Sequence, residues 1–372
     1  VIPPAEVVAY FADDPTRTYQ LSSWLPVLEV LHEHRPVVVV TREPASAEIL
    51  RGRTSLPVLL AESLTDLTEL YERLDPKIAL YCNNSPLNFN SLISSRMLHV
   101  HVNHGESDKQ SMASNCAKAY DRVFVAGPAA VERYITELME LDASRLVRVG
   151  RPQLDLHPAP LLPPTTRRTV LYAPTWEGDA DYNDYGSLPT LGRDIVRAAL
   201  ALPDVRVVYK PHPKVVTSRT PRVRRAHADV LEMLAGPDHV AVTGGDILAV
   251  FPGCDLMVTD VSSVGPDWLY LRNEQPIFLT DPHHDLERLR REIPLSRCAD
   301  VLDTASHHGD VAELTALFAS RLEYDEHHLA RVAVRRHYFD DLAVGASTDR
   351  FLDAVADLVM LRDRLLDARI TA

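Results

Sequence analysis

The sequence predicts an α/β fold made of two successive Rossmann-like units with a cleft between them. Three observations predict it. Short apolar, β-branched runs alternate with longer amphipathic segments, the pattern of parallel strands joined by crossover helices. The length, 372 residues, exceeds one ordinary core and suits two domains of about 150 to 200 residues each. Between residues 150 and 168 the pattern breaks, in a stretch with five prolines, a basic pair and no helical period.

The elements follow in order. "EVVAYF" reads as a strand, "SSWLPVLEVLHEH" as a helix with a serine cap, and "PVVVVT" as a strand buried on both faces. "LPVLLA", "KIALYC", "LHVHVN" and "RVFVAG" continue the series, and "PAAVERYITELMEL" is the helix after the last of them. Beyond the proline-rich break come "TVLYAPTW", the helix "LGRDIVRAALAL", "VRVVYKPHP", a short "HVAVTG", "DLMVTD" and "QPIFLT". "DRFLDAVADLVMLRDRLLDAR" closes the chain as an amphipathic helix. The expected boundaries are 1–160, 161–345 and a final helix at 346–372 that can pack back on the first domain.

Composition narrows the function. A formal charge of −13 argues against nucleic-acid binding, which needs a basic surface to displace counterions. The four cysteines, Cys82, Cys116, Cys254 and Cys298, form no closely spaced pair, so neither a disulfide scaffold nor a zinc site is expected, and a reducing cytoplasm is. No apolar run approaches the roughly 18 residues that span a bilayer, and no signal-peptide pattern is present. The chain opens Val1-Ile2 without a methionine, which reads as a segment trimmed from something longer.

In open parallel sheets, ligands bind beyond the carboxyl ends of the strands, and four of these ends carry unusual polar groups. "LHVHVN" delivers His104 and Gly105, then Glu106, Ser107, Asp108 and Lys109. A glycine there permits a turn at positive φ, and a histidine with an ordinary pKa of about 6.5 can act as a base; a capped surface turn is the plainer reading. His99 and His101, alternating along the strand, read as packed residues. "VVYKPHP" ends in Lys210, with His212 held between Pro211 and Pro213. This is either an anion clamp or merely a stiff loop.

"DLMVTDVSSVGPDWLYL" ends a strand at Thr259-Asp260 and starts a helix near Ser262-Ser263. Serines there cap free N–H groups, and the same groups cradle phosphate. Upstream, Asp246 of "TGGDILAVF" can cap a helix. "VLYAPTWEGDADYNDYG" carries Pro174 and Thr175 at a strand end, followed by an acidic, tyrosine-bearing stretch that reads as a mobile loop. Trp176 reads as core more than as a stacking platform. The run "SRTPRVRRAH" holds five basic groups when a protonated His227 is counted with Arg219, Arg222, Arg224 and Arg225, and a solvated helix face is its preferred reading.

Taken in succession, HG, YAPTW, KPHP and TDxSS resemble the motifs of the CDP-glycerol glycerophosphotransferase family, the polymerases and primases of wall teichoic acid and related polyol-phosphate capsules. The resemblance covers most of the chain and extends to "YFDDLAVGASTDRFLDAV" before the last helix. It implies the GT-B arrangement, two Rossmann-like domains facing each other, with nucleotide mainly on the second and acceptor mainly on the first. His104 then maps to the base and His212 to the group that orients or stabilises the phosphate. Thr259, Ser262 and Ser263 map to contacts with the donor pyrophosphate. Asp260, Lys210, Pro174 and Thr175 fall beside them on the donor side, and Gly105 to Lys109 fall on the acceptor side. The family's first motif commonly reads HGTPLK. Here it is HGESDK, so Glu106 and Asp108 add two charges near the expected acceptor site, and Val261 stands where a tyrosine is usual.

The implied reaction takes an alditol phosphate, glycerol phosphate first among candidates, from a CDP-alditol to a hydroxyl of a polyol-phosphate or saccharide acceptor and releases CMP. Such acceptors are usually lipid-linked, which would bring a cytoplasmic enzyme into peripheral contact with the membrane. Phosphoryl transfer is catalysed mostly by positioning and charge stabilisation. With no DxD pair at a strand end and no metal-ligand spacing, no metal or other cofactor is expected. Three other readings stand beside this one: a GT-B glycosyltransferase of cell-envelope polysaccharide synthesis using a nucleotide sugar, a non-catalytic binding component, and a sugar-nucleotide epimerase.

Overall fold

A computed structural model describes residues 3–178, 180–303 and 310–371. The chain divides into two compact units: Val1–Glu106 with Ala113–Leu156 and Phe339–Ala372, and Ser107–Met112 with His157–Tyr338.

The first unit is a parallel sheet of seven strands in the order β3-β2-β1-β4-β5-β6-β7. Its strands are β1 Val7–Phe11, β2 Val37–Thr41, β3 Val58–Leu60, β4 Ile78–Tyr81, β5 Leu98–His101, β6 Arg122–Val125 and β7 Leu146–Arg148. Every residue of β1 and β2 is buried, as the all-apolar runs require when both sheet faces are covered. The strand β7 is short and only partly buried, an edge whose two apolar residues make no run long enough to betray it.

Before β2, the expected helix divides into α1 Tyr19–Ser22 and α2 Leu25–His34. The serine cap does not form there. Ser22 and Ser23 instead donate their hydroxyls back to the carbonyls of Thr18 and Gln20, both at 2.8 Å, and Trp24 takes the cap position without a side-chain bond. A capping box does start α4 Leu64–Leu74, from Ser63 and Asp66; α3 is Pro44–Arg51 and α5 is Pro128–Glu137.

The C-terminal helix, Ala346–Thr371, packs on this first unit. Asp155 caps it, accepting from the backbone N–H groups of Gly345 at 2.8 Å and Thr348 at 2.7 Å. Phe351 is fully buried between Trp24 and Phe124, with ring centroids 5.4 and 6.0 Å away. Lys77 pairs with Asp363 at 2.8 Å further along.

The second unit is a parallel sheet of six strands in the order β10-β9-β8-β11-β12-β13. They are β8 Arg168–Ala173, β9 Val205–Tyr209, β10 Val240–Ala241, β11 Leu256–Thr259, β12 Ile277–Asp281 and β13 Asp300–Asp303. Around them lie α6 Gly192–Leu200, α7 Pro213–Val216, α8 Pro221–Met233, α9 Val264–Leu271 and α10 Leu286–Glu292. In both sheets the strand order reverses at one place, between β1 and β4 in the first and between β8 and β11 in the second. Loops leaving the carboxyl ends of those strands diverge and open a crevice, where ligands of such sheets sit. Among the described residues, no helix is long and apolar enough to cross a membrane.

Candidate active site

In the first unit, β5 pairs one residue past its end, through the Val102 N–H and the Tyr81 carbonyl, and then stops. The positive φ falls on Asn103, at 55°, rather than on Gly105 as the sequence suggests. Two bonds hold this turn: the Trp24 indole N–H donates to the Asn103 carbonyl, and the Asn103 side chain accepts from the His104 N–H at 2.9 Å. The His104 ring then presents Nδ1 to the Cys82 carbonyl at 3.2 Å, with the Tyr19 ring edge-on at 6.2 Å. A carbonyl only accepts, so Nδ1 carries the ring proton and Nε2 holds the lone pair. Below it on the strand, His99 bonds Tyr81 and the Ser94 carbonyl, and His101 lies fully buried against Tyr120. Burial pushes the His101 imidazole down to about 4, so it stays neutral in the core.

The expected acceptor residues divide between the units, Gly105 and Glu106 in the first and Ser107, Asp108 and Lys109 in the second. Glu106 forms an ion pair with Arg133 of α5 at 2.6 Å, the two side chains 7% and 10% exposed. Asp108 accepts from the Tyr338 hydroxyl, which itself accepts from the Leu295 N–H at 3.1 Å. Lys109 is buried, its ammonium 5.7 Å above the Tyr185 ring. Both charges that distinguish HGESDK therefore have partners distant in sequence, which local spacing could not reveal.

Sequence reasoning missed a polar cluster at the reversal point of the first sheet. Asp13, just beyond β1 and 8% exposed, accepts from Asn83 at 2.7 Å and from the Ser85 hydroxyl at 3.0 Å. Asn83 also donates to Gln20 at 2.9 Å. A carboxylate at the tip of an apolar strand, "VVAYFADD", was the available signal.

In the second unit the same edge gathers the ends of β9, β8 and β11. The Lys210 N–H donates to the Tyr172 carbonyl and the His212 N–H to the Pro174 carbonyl, at 2.9 and 3.0 Å, which lays the KPHP loop along YAPTW. His212 caps α7, and its Nδ1 accepts from the Lys214 N–H at 3.2 Å. An acceptor nitrogen has no proton, so the neutral ring carries it on Nε2. The Trp176 ring lies 6.2 Å from His212 and has the Lys214 ammonium 3.3 Å above its face; it is half-buried and packs on the core as well. Lys210 is 5% exposed. Among the described residues its ammonium has no ion pair or hydrogen bond; burial lowers its pKa, and Asp246 opposes that at longer range.

Asp260 stands at the reversal point and is fully buried. It accepts from the N–H groups of Thr175 at 2.7 Å and Ser187 at 3.2 Å and from the Thr280 hydroxyl at 2.6 Å, tying two loop segments to strand β12. Burial raises its pKa against those bonds. Thr259 is also fully buried and donates to the Ala173 carbonyl at 2.8 Å. The Ser263 side chain makes no cap bond to α9, unlike the expected serine cap, and the Ser262 hydroxyl oxygen is buried with no partner among the described residues. The first-turn N–H groups of Val264 and Gly265 are beyond the reach of any intrahelical carbonyl. A Cβ on Gly265 would meet the Leu295 Cδ2 methyl at 2.3 Å, so any other residue at this helix start would force that side chain to shift.

Next to this edge, the acidic stretch after Trp176 is anchored rather than loose where it is described; Asp179 lies outside the described residues. Glu177 accepts from Ser218 and Thr220, and Asp184 pairs with Arg222 at 3.1 Å. His227 bonds the Tyr209 hydroxyl, and burial lowers its pKa, which removes it from the basic run. Arg219, Arg224 and Arg225 are exposed, as a solvated face requires.

For a metal, one cluster of suitable groups occurs among the described residues, Asp300, Glu326 and His327. Arg321 occupies it, donating to both Asp300 oxygens at 2.6 and 2.9 Å and to Glu326. That cluster lies where β13 begins, at the opposite sheet edge from Lys210.

Solved structures with this fold include the wall teichoic acid polymerase TagF, at 13% identity and a TM-score of 0.58 over 96% of this chain and 90% of that one. The UDP-GlcNAc 2-epimerase of Neisseria meningitidis aligns at 12% identity and a TM-score of 0.62, over 94% and 99% of the two chains. A glycotransferase of kitacinnamycin aligns at 13% and 0.60, over 96% and 100%. At such identities the likeness concerns the fold. No curated protein matches in sequence. A family model does match, over residues 98–357, from the first residue of β5 through every motif described above into the C-terminal helix, and the chain therefore belongs to the CDP-glycerol:poly(glycerophosphate) glycerophosphotransferase family.

Proposed function

We propose that the protein transfers glycerol phosphate from CDP-glycerol to the terminal hydroxyl of a growing polyol-phosphate chain of the wall teichoic acid or capsule type, releasing CMP. The acceptor hydroxyl attacks the β-phosphorus. A new P–O bond forms as the bond to CMP breaks, and CMP leaves with that electron pair. His104 Nε2 takes the hydroxyl proton. The Nε2–H of His212, the Lys210 ammonium and the first-turn N–H groups of α9 receive the charge that develops on the bridging and leaving oxygens.

The observation that carries this reading is the pair of ring tautomers. A backbone carbonyl fixes His104 with its lone pair on Nε2, and a backbone N–H fixes His212 with its proton on Nε2. One is thus prepared as base and the other as donor. Lys210, a buried cation whose ammonium has no ion pair among the described residues, supports a phosphate beside His212. Family membership supports CDP-glycerol as the donor, and the fold shared with TagF supports polymer extension. Asp260 and Thr259, with their polar atoms bonded inside the sheet, serve by shaping the cradle. A lipid-linked acceptor would place the reaction at the inner face of the cell membrane.

The test incubates the protein with CDP-glycerol, CDP-ribitol and UDP-sugars, with mass spectrometry of the products. CMP release with glycerol phosphate added to acceptor is expected, and His104→Ala should abolish it. UDP release from a sugar donor would replace this reading with glycosyl transfer, and full turnover by His104→Ala would remove the base.

A further inference from the structure

The base proposed above depends on the Cys82 carbonyl, and that carbonyl has its own support. Cys82 lies one residue beyond β4 and precedes Asn83, which is held from three sides. Its amide donates to Asp13 at 2.7 Å and to Gln20 at 2.9 Å, and its own carbonyl accepts from the Asn88 amide at 2.8 Å. Ser85, two residues on, donates its hydroxyl to the other Asp13 oxygen at 3.0 Å and accepts from the Leu87 N–H at 3.2 Å. Asp13 therefore grips the chain on both sides of Asn84, directly after the carbonyl that bonds His104. Arg17 balances its charge at 4.0 Å.

We propose that Asp13 is a positioning residue for His104: through Asn83 and Ser85 it fixes the Cys82 carbonyl that keeps the ring proton on Nδ1. Without that anchor the carbonyl can rotate away, the neutral imidazole is released into both tautomers, and part of the population presents a protonated Nε2 to the acceptor hydroxyl. This inference rests on the reading of His104 as base. It predicts an effect on the chemical step and not on donor affinity, because Asp13 touches neither reacting group.

Two measurements separate the inference from its foundation. Histidine-selective 15N NMR, with the His104 signals assigned by their absence in His104→Ala, reads the tautomer without any reaction. Steady-state CMP release from CDP-glycerol reads kcat and KM. In the wild type, His104 should show a protonated Nδ1. In Asp13→Ala it should show mixed tautomers, with kcat lower by about 100-fold, the cost of a small misplacement of a reacting group, and KM for CDP-glycerol unchanged. Asp13→Asn, whose amide can accept from Asn83 and donate to Ser85, should restore the tautomer and most of the rate. Unchanged His104 signals in a folded Asp13→Ala protein would overturn the proposal, as would a raised KM at constant kcat. Should Asp13→Ala fail to fold, Ser85→Ala takes its place, and an unaltered His104 tautomer there overturns the link equally. An active His104→Ala would defeat the assignment of the base, while the 15N spectra would still decide whether Asp13 sets the ring.

Discussion

Replacing Lys210 with methionine should have two effects of opposite sign. The side chain is 5% exposed, and its ammonium has no ion pair or hydrogen bond among the described residues. In the unliganded protein that charge is a liability, since removing a cation from water costs several kcal/mol when no anion compensates it. Lys210→Met keeps the length of the side chain and discards the charge, so the protein should gain about 1 kcal/mol, or about 2–4 °C in Tm for a unit of this size. The gain depends on pH in a defined direction. Burial holds the Lys210 pKa below its ordinary value, so the folded state is disfavoured while the unfolded chain keeps that proton. The gain is therefore largest toward neutral pH and fades as the pH rises through the ordinary lysine range. With CDP bound the sign reverses. A charge-assisted bond to phosphate contributes about 1.5–3 kcal/mol, so the variant should bind CDP about 10- to 150-fold more weakly. Thermal melts with and without CDP, with titration calorimetry for affinity, measure both halves. A variant that melts lower than the wild type and binds CDP equally well would refute the reasoning.

Two further outcomes concern the fold around the site. His101 titrates near 4 in the folded protein against about 6.5 unfolded, so stability present above pH 6.5 is lost as the pH falls. His101→Phe should abolish about 3 kcal/mol of the loss between pH 7 and pH 4, read by urea denaturation at the two values. Arg133→Met leaves Glu106 buried without its cation and should cost about 3–5 kcal/mol, whereas adding Glu106→Gln to it should recover most of that; equal stability of the two variants would show the pair to be inert.

The sheet elements were legible because parallel strands buried on both faces need continuous apolar runs, and "VVAYF", "VVVVT" and "LMVT" provide them. The edge strands β7 and β13, written "LVR" and "DVLD", lack that requirement and left no such mark. At the site, His104, Lys210 and His212 stood out because charged groups at the tips of apolar strands have few structural reasons to be there. What they touch was not legible. The Cys82 carbonyl beside His104 lies just past a strand end 22 residues away, and the bond from the Thr175 N–H to Asp260 spans 85. Serines were misread at two helix starts, because a hydroxyl that can cap can equally turn back to the preceding carbonyl, as Ser22 and Ser23 do. The partners of Glu106 and Asp108, Arg133 and Tyr338, lie 27 and 230 residues onward, out of reach of any local pattern.

The helix from Ala346 to Thr371 sets an order of assembly. Residues 157–338 leave the ribosome as an almost complete unit, while the first unit, whose strands precede them, still lacks the side chain that closes its core. Until Phe351 is synthesised, Trp24 and Phe124 face a vacancy, and Asp155 has no helix to cap. The first unit thus matures after the second, and a nascent chain halted before Ala346 would present a greasy cleft to chaperones and proteases.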